Sequence, residues 1–199
     1  MPFINTIPDA EATGDVRRMY EENRMPDGRI PNYVQMFSHR PDVMEIWGNL
    51  LGAIKTNLDP RRYELATLAA ARTLRHSYCM LAHSLVLCEQ FYSQDELLRI
   101  ATDYRAADLD PADVAIMAYA EQVVRDATAI TQADIDTLKQ HGLSDAEIFD
   151  LTTAITVRCF FSKALDALGV QPDGDYLELD EQFYKTLAVG RPIDGQNPT

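Results

Sequence analysis

Helix punctuation recurs at short intervals along this chain and leaves little room for a sheet. Asp59-Pro60 and Asp110-Pro111 each put an N-cap carboxylate before a proline at the first helical position, where the missing N–H is not needed. Ser93 with Glu96, and Ser144 with Glu147, are capping boxes in which hydroxyl and carboxylate satisfy each other's backbone donors; Thr131 with Asp134 is a weaker version. His141-Gly142 and Leu168-Gly169 read as helix stops, because glycine accepts a left-handed backbone. Between these marks the apolar period is helical. Leu65, Leu68, Ala69, Ala71 and Leu74 form one stripe, Val114, Met117, Ala118 and Val124 a second, and Ile148, Leu151, Ile155 and Leu165 a third. Alternation of the kind a strand needs is nowhere convincing. The expectation is an all-α fold with helices near 9–24, 32–38, 41–56, 60–74, 76–91, 94–103, 111–127, 132–140 and 145–168.

The prolines divide the chain. Residues 1–40, with Pro2, Pro8, Pro26 and Pro31, read as an N-terminal extension packed on a helical core of 41–170. Residues 171–199, with three prolines and several acids, read as an arm on a neighbouring subunit or a loose tail. The apolar stripes on 41–56 and 145–168 exceed what one small monomer needs, so a homo-oligomer is expected. Acids outnumber bases by 31 to 18, a formal charge of -13, which argues against nucleic acid and against anionic membrane as partners. The three cysteines have no framework spacing, which fits a reducing compartment. No basic start with an apolar stretch follows Met1, and no apolar run nears the ~20 residues of a membrane span. A soluble, cytoplasmic protein is the expectation.

Residues 75–84, RHSYCMLAHS, gather the chemistry. His76, Cys79 and His83 are spaced by three and four residues, so they share one face if the helix begins by His76. The helix of 60–74 is joined by a short link, so Glu64 can face the same place. A thiolate here would be a nucleophile, an imidazole one turn away could take its proton, and a carboxylate behind the ring could relay it. A helix N-terminus near Cys79, with Arg72 and Arg75 nearby, would favour the anion. Against this stands the commoner case of a cysteine as a small buried hydrophobe and a histidine as a satisfied structural residue. The same trio with Glu64 offers zinc-type ligands, but it spans two turns, ~10 Å, too far for bonds of ~2 Å to gather easily. No phosphate-binding loop, dinucleotide glycine pattern or other cofactor motif is present. Ser84 lacks the glycines of a nucleophile elbow.

The stretch Glu64 … His76-x-x-Cys79-x-x-x-His83 resembles the alkyl hydroperoxidase D-like, carboxymuconolactone decarboxylase superfamily. Redox members of that family carry a glutamate, then, twelve residues on, Cys-x-x-Cys-x-x-x-His. The flanking text is similar as well: RRYELATLAAARTL, SQDELLRI, LDPADVAIMAYAEQVVRD, and GLSDAEIFDLTTAI ending in ALGV, so that the resemblance covers most of 40–170. IPNYVQMFSHRPDVMEIW looks most like the peroxidase-related branch.

The resemblance implies an all-helical protein assembled as a dimer, trimer or hexamer. It implies that Cys79 is the reactive cysteine, with His83 and Glu64 as its proton relay. This chain departs from the pattern at His76, which stands where the family has its first, resolving cysteine. Cys88 lies about 13 Å along the same helix on the opposite face and cannot close on Cys79, since a disulfide needs Cα atoms within ~7 Å. Whether Cys159 reaches Cys79 is open. The function implied is a peroxidase-related oxidoreductase that reduces a peroxide or exchanges thiols through one cysteine, with His76 stabilising its charge and an external thiol as reductant. The alternatives are a decarboxylase-type lyase using His76, His83 and Glu64 on a small organic acid, and a helical oligomer whose site has decayed or holds a metal. RCFFSKALDALGV departs from the branch, which has asparagines near the places of Cys159 and Ser162.

Four further residues have ordinary expectations. Trp47 reads as core or subunit interface, and Phe160 and Phe161 read as core. Tyr78, beside Cys79, is expected to pack more than to bind substrate.

Overall fold

The computed structural model describes residues 2–193, and among these every regular element is a helix. They are α1 (Gly14–Glu22), α2 (Asn32–Met36), α3 (Pro41–Lys55), α4 (Pro60–Leu74), α5 (Ser77–Gln90), α6 (Gln94–Asp103), α7 (Pro111–Asp126), α8 (Gln132–Gln140), α9 (Asp145–Ala167) and α10 (Glu181–Leu187), with short 3-10 turns between some of them. The sequence punctuation explains the starts. Asp59 accepts from the Arg62 amide at 2.9 Å, and Asp110 accepts from Ala112. Ser93/Glu96 and Ser144/Glu147 close as reciprocal boxes, and so does the Thr131/Asp134 pair.

α4 lies at the centre, packed against α5, α7 and α9. It is buried continuously from Tyr63 to Ala71. Ala66, Ala69, Ala70 and Ala71 project so little that three neighbouring helices can approach its backbone at once. Glu64 is the one carboxylate in this buried run. A carboxylate is not placed there without a partner, because an unpaired buried charge is costly.

Three expectations are corrected. The helix near 9–24 is a 3-10 turn at Asp9–Glu11 followed by α1, because Ala12 and Thr13 adopt extended backbone between them. α5 begins at Ser77; His76 is its N-cap, with φ -99° and ψ 94°. The residues after 170 include a 3-10 turn, Gly174–Glu178, and α10, whose Phe183 and Leu187 are 2% and 0% exposed in the core of the same chain. Asp180 caps α10 through the amides of Gln182 and Phe183. Residues 194–199 of that segment lie outside the described residues. At the other end, α1 and α2 bury Tyr20 and Val34 completely. Among the described residues no helix is long and apolar enough to cross a membrane.

Candidate active site

The site is built at the corner between α4 and α5. Arg75 sits in the left-handed region, φ 57°, a conformation unfavourable for a side-chain-bearing residue. It lets the His76 amide donate back to the Ala71 carbonyl at 2.9 Å and reverses the chain in two residues. α5 therefore runs back along α4, and a residue two turns into α5 meets one far up α4. His83 Nδ1 donates to Glu64 Oε2 at 2.5 Å. Glu64 is 5% exposed, and the His83 side chain is 16% exposed.

Cys79 occupies the first turn of α5 and is buried, 3% exposed. Arg158 of α9 points at it: Nη1 donates to Sγ at 3.4 Å, while Nη2 donates to Tyr63 Oη at 3.1 Å. Ser162, one turn further along α9, places Oγ 3.6 Å from Sγ. Burial pushes the thiol pKa up, but the Arg158 charge and the imidazoles of His76 and His83 outweigh it, holding Cys79 well below the ordinary thiol value. The first-turn amides of α5 act in the same direction. Cys88 and Cys159 go the other way. Each is raised by burial, and all three cysteines are free thiols.

His76 reaches the site by a different route from the one its spacing suggests. As an N-cap it is not on the helical row of Cys79 and His83. Its ring is 1% exposed and turned toward α9, with Nδ1 donating to Asp166 Oδ2 at 2.9 Å. Two imidazole–carboxylate pairs thus flank one thiol, His83–Glu64 on one side and His76–Asp166 on the other. Burial lowers the His76 pKa, yet Asp166 and Cys79 bring it up to about 9.

Sequence reasoning brought Glu64, Cys79 and His83 together correctly in space and missed the contribution of α9. The nearby positive charge is Arg158, not Arg72 or Arg75; Arg75 is exposed and donates to the Val189 carbonyl. A signal was present. Arg158, Ser162 and Asp166 recur every four residues, one polar row along α9. Phe160 is corrected from core to surface, 49% exposed, because one residue's rotation separates it from buried Phe161. Among the described residues no group of three or more His, Cys, Asp or Glu side chains is arranged to hold a metal ion. The carboxylates of Glu64 and Asp166 accept from the imidazoles of His83 and His76, and Arg158 donates to the sulfur.

Aromatic rings close the rest of the site. Tyr78 donates its hydroxyl to Asp173 and meets Tyr33 and Tyr176 edge-on. Phe161 packs on Tyr33 and stacks against Trp47 at 4.5 Å, and the Arg158 guanidinium lies over its ring. Burial raises the Asp173 pKa, and burial with the Asp173 charge raises that of Tyr78.

An all-α bundle presenting a buried, electrostatically activated thiol at the start of a helix defines the class. Residues 41–122, from α3 through most of α7, match the model of the carboxymuconolactone decarboxylase family. The chain has the alkylhydroperoxidase D-like fold, and its likeness to the family model is confined to this stretch. A structure described as an alkylhydroperoxidase AhpD core, an uncharacterized peroxidase-related protein from Ralstonia eutropha JMP134, superposes with a TM-score of 0.77 at 20% identity, covering 95% of this chain and 97% of that one. A peroxidase-related protein from Silicibacter sp. TM1040 gives 0.73 at 18% identity over 88% and 91%. The debrominase Bmp8, as a cysteine-to-alanine variant in complex with 2,3,4-tribromopyrrole, gives 0.70 at 16% identity over 92% and 95%. At these identities the likeness is one of fold. No curated protein matches the sequence significantly.

Proposed function

We propose that this protein is a thiol-dependent oxidoreductase that reduces a hydroperoxide, with Cys79 as the reacting group. The observation that carries the reading is the Arg158 guanidinium 3.4 Å from a buried Sγ between two carboxylate-backed imidazoles. A cysteine kept only for packing has no need of a buried cation, and burying one without function costs stability. The thiolate attacks the distal peroxide oxygen. An S–O bond forms as the O–O bond breaks, Cys79 becomes a sulfenic acid, and the alkoxide takes a proton to leave as alcohol. His83, backed by Glu64 and partly exposed, passes the original thiol proton toward water. With His76 at the place of a resolving cysteine, an external thiol condenses with the sulfenic acid and releases water. A second external thiol then frees Cys79, leaving the reductant as its disulfide. The test is consumption of hydroperoxide by wild type and Cys79→Ser with a small thiol as reductant. Turnover is expected in the wild type alone, and equal rates overturn the reading. A brominated pyrrole belongs in the same screen, because debromination is the activity named for Bmp8.

The family match favours one second reading, acid–base chemistry on a small organic acid. His83 with Glu64 forms a pair that needs no thiol. This reading expects activity to survive Cys79→Ser and to be lost in His83→Ala and Glu64→Ala.

Association of copies goes with either reading. Ile46 and Leu50 of α3, with Phe149 and Phe160 of α9, are 66%, 49%, 67% and 49% exposed. Several of these residues line an apolar groove of about 350 Å³ between the two helices. We propose this face as the contact between copies. A sedimentation mass above the monomer that falls to the monomer in Ile46→Glu supports it, and a monomeric wild type overturns it.

A further inference from the structure

We propose that His76 is the acid that protonates the leaving alkoxide, and that Asp166 is the positioning residue that keeps this acid loaded and aimed. The proposal rests on the peroxide reading above and assigns a step that reading leaves without a donor.

The two imidazoles around Cys79 are not equivalent. The His83 side chain is 16% exposed and can exchange its proton with water. The His76 side chain is 1% exposed and cannot do so freely. Its Nδ1 is committed to Asp166 Oδ2 at 2.9 Å, whereas Nε2 is buried with no hydrogen-bond partner among the described residues. An unpartnered buried ring nitrogen is costly, so its retention calls for an explanation. Here the free Nε2 sits on the thiol side of a ring whose other nitrogen is fixed by a carboxylate. That arrangement defines one tautomer and one direction of proton delivery.

The charges facing His76 agree on its state. Asp166 of α9 and the Cys79 thiolate favour the imidazolium, and burial opposes it; together they bring its pKa up to about 9. Arg158 lies across the sulfur, and Glu64 is spent on His83. Arg191 Nη2 donates to the Asp166 backbone carbonyl oxygen at 3.0 Å, and its charge opposes protonation. The segment that brings it there is tied down. The Gly190 amide donates to buried Ser77 Oγ at 2.8 Å, and Arg75 Nε donates to Val189 O at 3.2 Å. The chain end therefore covers the His76 corner and helps keep it dry.

The step balances without a further reactant. As the O–O bond of ROOH breaks, its electron pair goes to the departing RO⁻. The Nε2 proton of imidazolium His76 passes to that oxygen, giving ROH and neutral imidazole. Cys79 retains the distal OH as sulfenic acid, and His76 is reloaded by the proton that the second external thiol gives up as Cys79 leaves as thiolate. Activity must therefore fall as pH rises through the His76 pKa.

The experiment is the pH profile of hydroperoxide turnover for full-length wild type, Asp166→Asn, Asp166→Glu and Cys79→Ser. In Asp166→Asn, kcat is expected to drop about tenfold or more with KM within about twofold. The alkaline limb should move down by at least about one pH unit, since a neutral amide no longer supports the cation. Asp166→Glu should restore much of that limb. Wild-type kcat and limb in Asp166→Asn, with Cys79→Ser inactive, overturn this inference alone; an active Cys79→Ser overturns the peroxide reading as well. Imidazole nitrogen NMR of the wild type gives a readout independent of variant folding. A His76 ring still doubly protonated at about pH 8 supports the assignment, and a neutral ring there overturns it.

Discussion

Replacing Arg158 with methionine should convert Cys79 from a reactive thiolate to an ordinary buried thiol. The guanidinium stands 3.4 Å from Sγ. At an effective dielectric of ~20, opposite unit charges at that distance attract by ~5 kcal/mol. Part of this is spent on keeping the guanidinium itself out of water, as Arg158 is only 4% exposed. A neighbouring opposite charge typically moves a pKa by ~1–3 units. An upward shift of about two units, ~3 kcal/mol, is therefore expected at Cys79. Methionine keeps much of the volume and adds no charge. The assay is the pH dependence of iodoacetamide alkylation, with Cys88 and Cys159 replaced by alanine so that one thiol reports. Wild type should react with a midpoint well below the free thiol value of ~8.5, and Arg158→Met near or above it. Arg158→Lys should fall between, because it keeps the charge but not the fork that also holds Tyr63. A folded Arg158→Met protein whose midpoint stays within a few tenths of a unit of wild type would refute the electrostatic argument.

Other consequences reach beyond the thiol. At Gly190 a Cβ would collide with the Arg75 carbonyl, so Gly190→Ala should detach the terminal segment or strain it by ~1–3 kcal/mol. The melting temperature should fall by several degrees, read by thermal denaturation. Asp113 is completely buried and is paired with partly exposed Arg61 and Arg62 between α4 and α7, so Asp113→Ala should cost ~1–3 kcal/mol in urea unfolding. His76 is raised in the folded state to about 9, against ~6.5 when unfolded. Its contribution to stability is thus full below ~6.5 and lost as pH rises toward about 9. Cys79 is one of the groups that raise the His76 pKa, so the comparison is made in the protein with Cys79 intact. Its urea midpoint should exceed that of the same protein with His76→Gln by more at about pH 6 than at about pH 9.

The parts of this molecule legible in the sequence are those written locally. The carboxylates and hydroxyls that start α4, α6, α7 and α9 act on amides two or three residues away, so a short window contains cause and effect. The same holds for Cys79 and His83, one turn apart, and for Glu64 once a tight corner is assumed. The corner itself was not legible. It depends on an arginine in a conformation that usually calls for glycine, stabilised by a segment 114 residues further on. Arg158, Ser162 and Asp166 come to Cys79 across the bundle, and no neighbour of theirs in sequence names the sulfur. Their four-residue spacing marks a polar stripe, but only packing of α9 against α4 says what it faces. α10 escaped for a related reason: its seven residues carry too weak a period to stand out, and its stability comes from the core that Phe183 and Leu187 complete.

The chemical fate of one sulfur decides the account. Wild-type protein treated with a single equivalent of hydroperoxide and then with dimedone, which captures sulfenic acids, is digested and read by peptide mass spectrometry. The adduct is expected on Cys79, with Cys88 and Cys159 unmodified. Label on either of those two with Cys79 left as free thiol would contradict the assignment of the reactive centre.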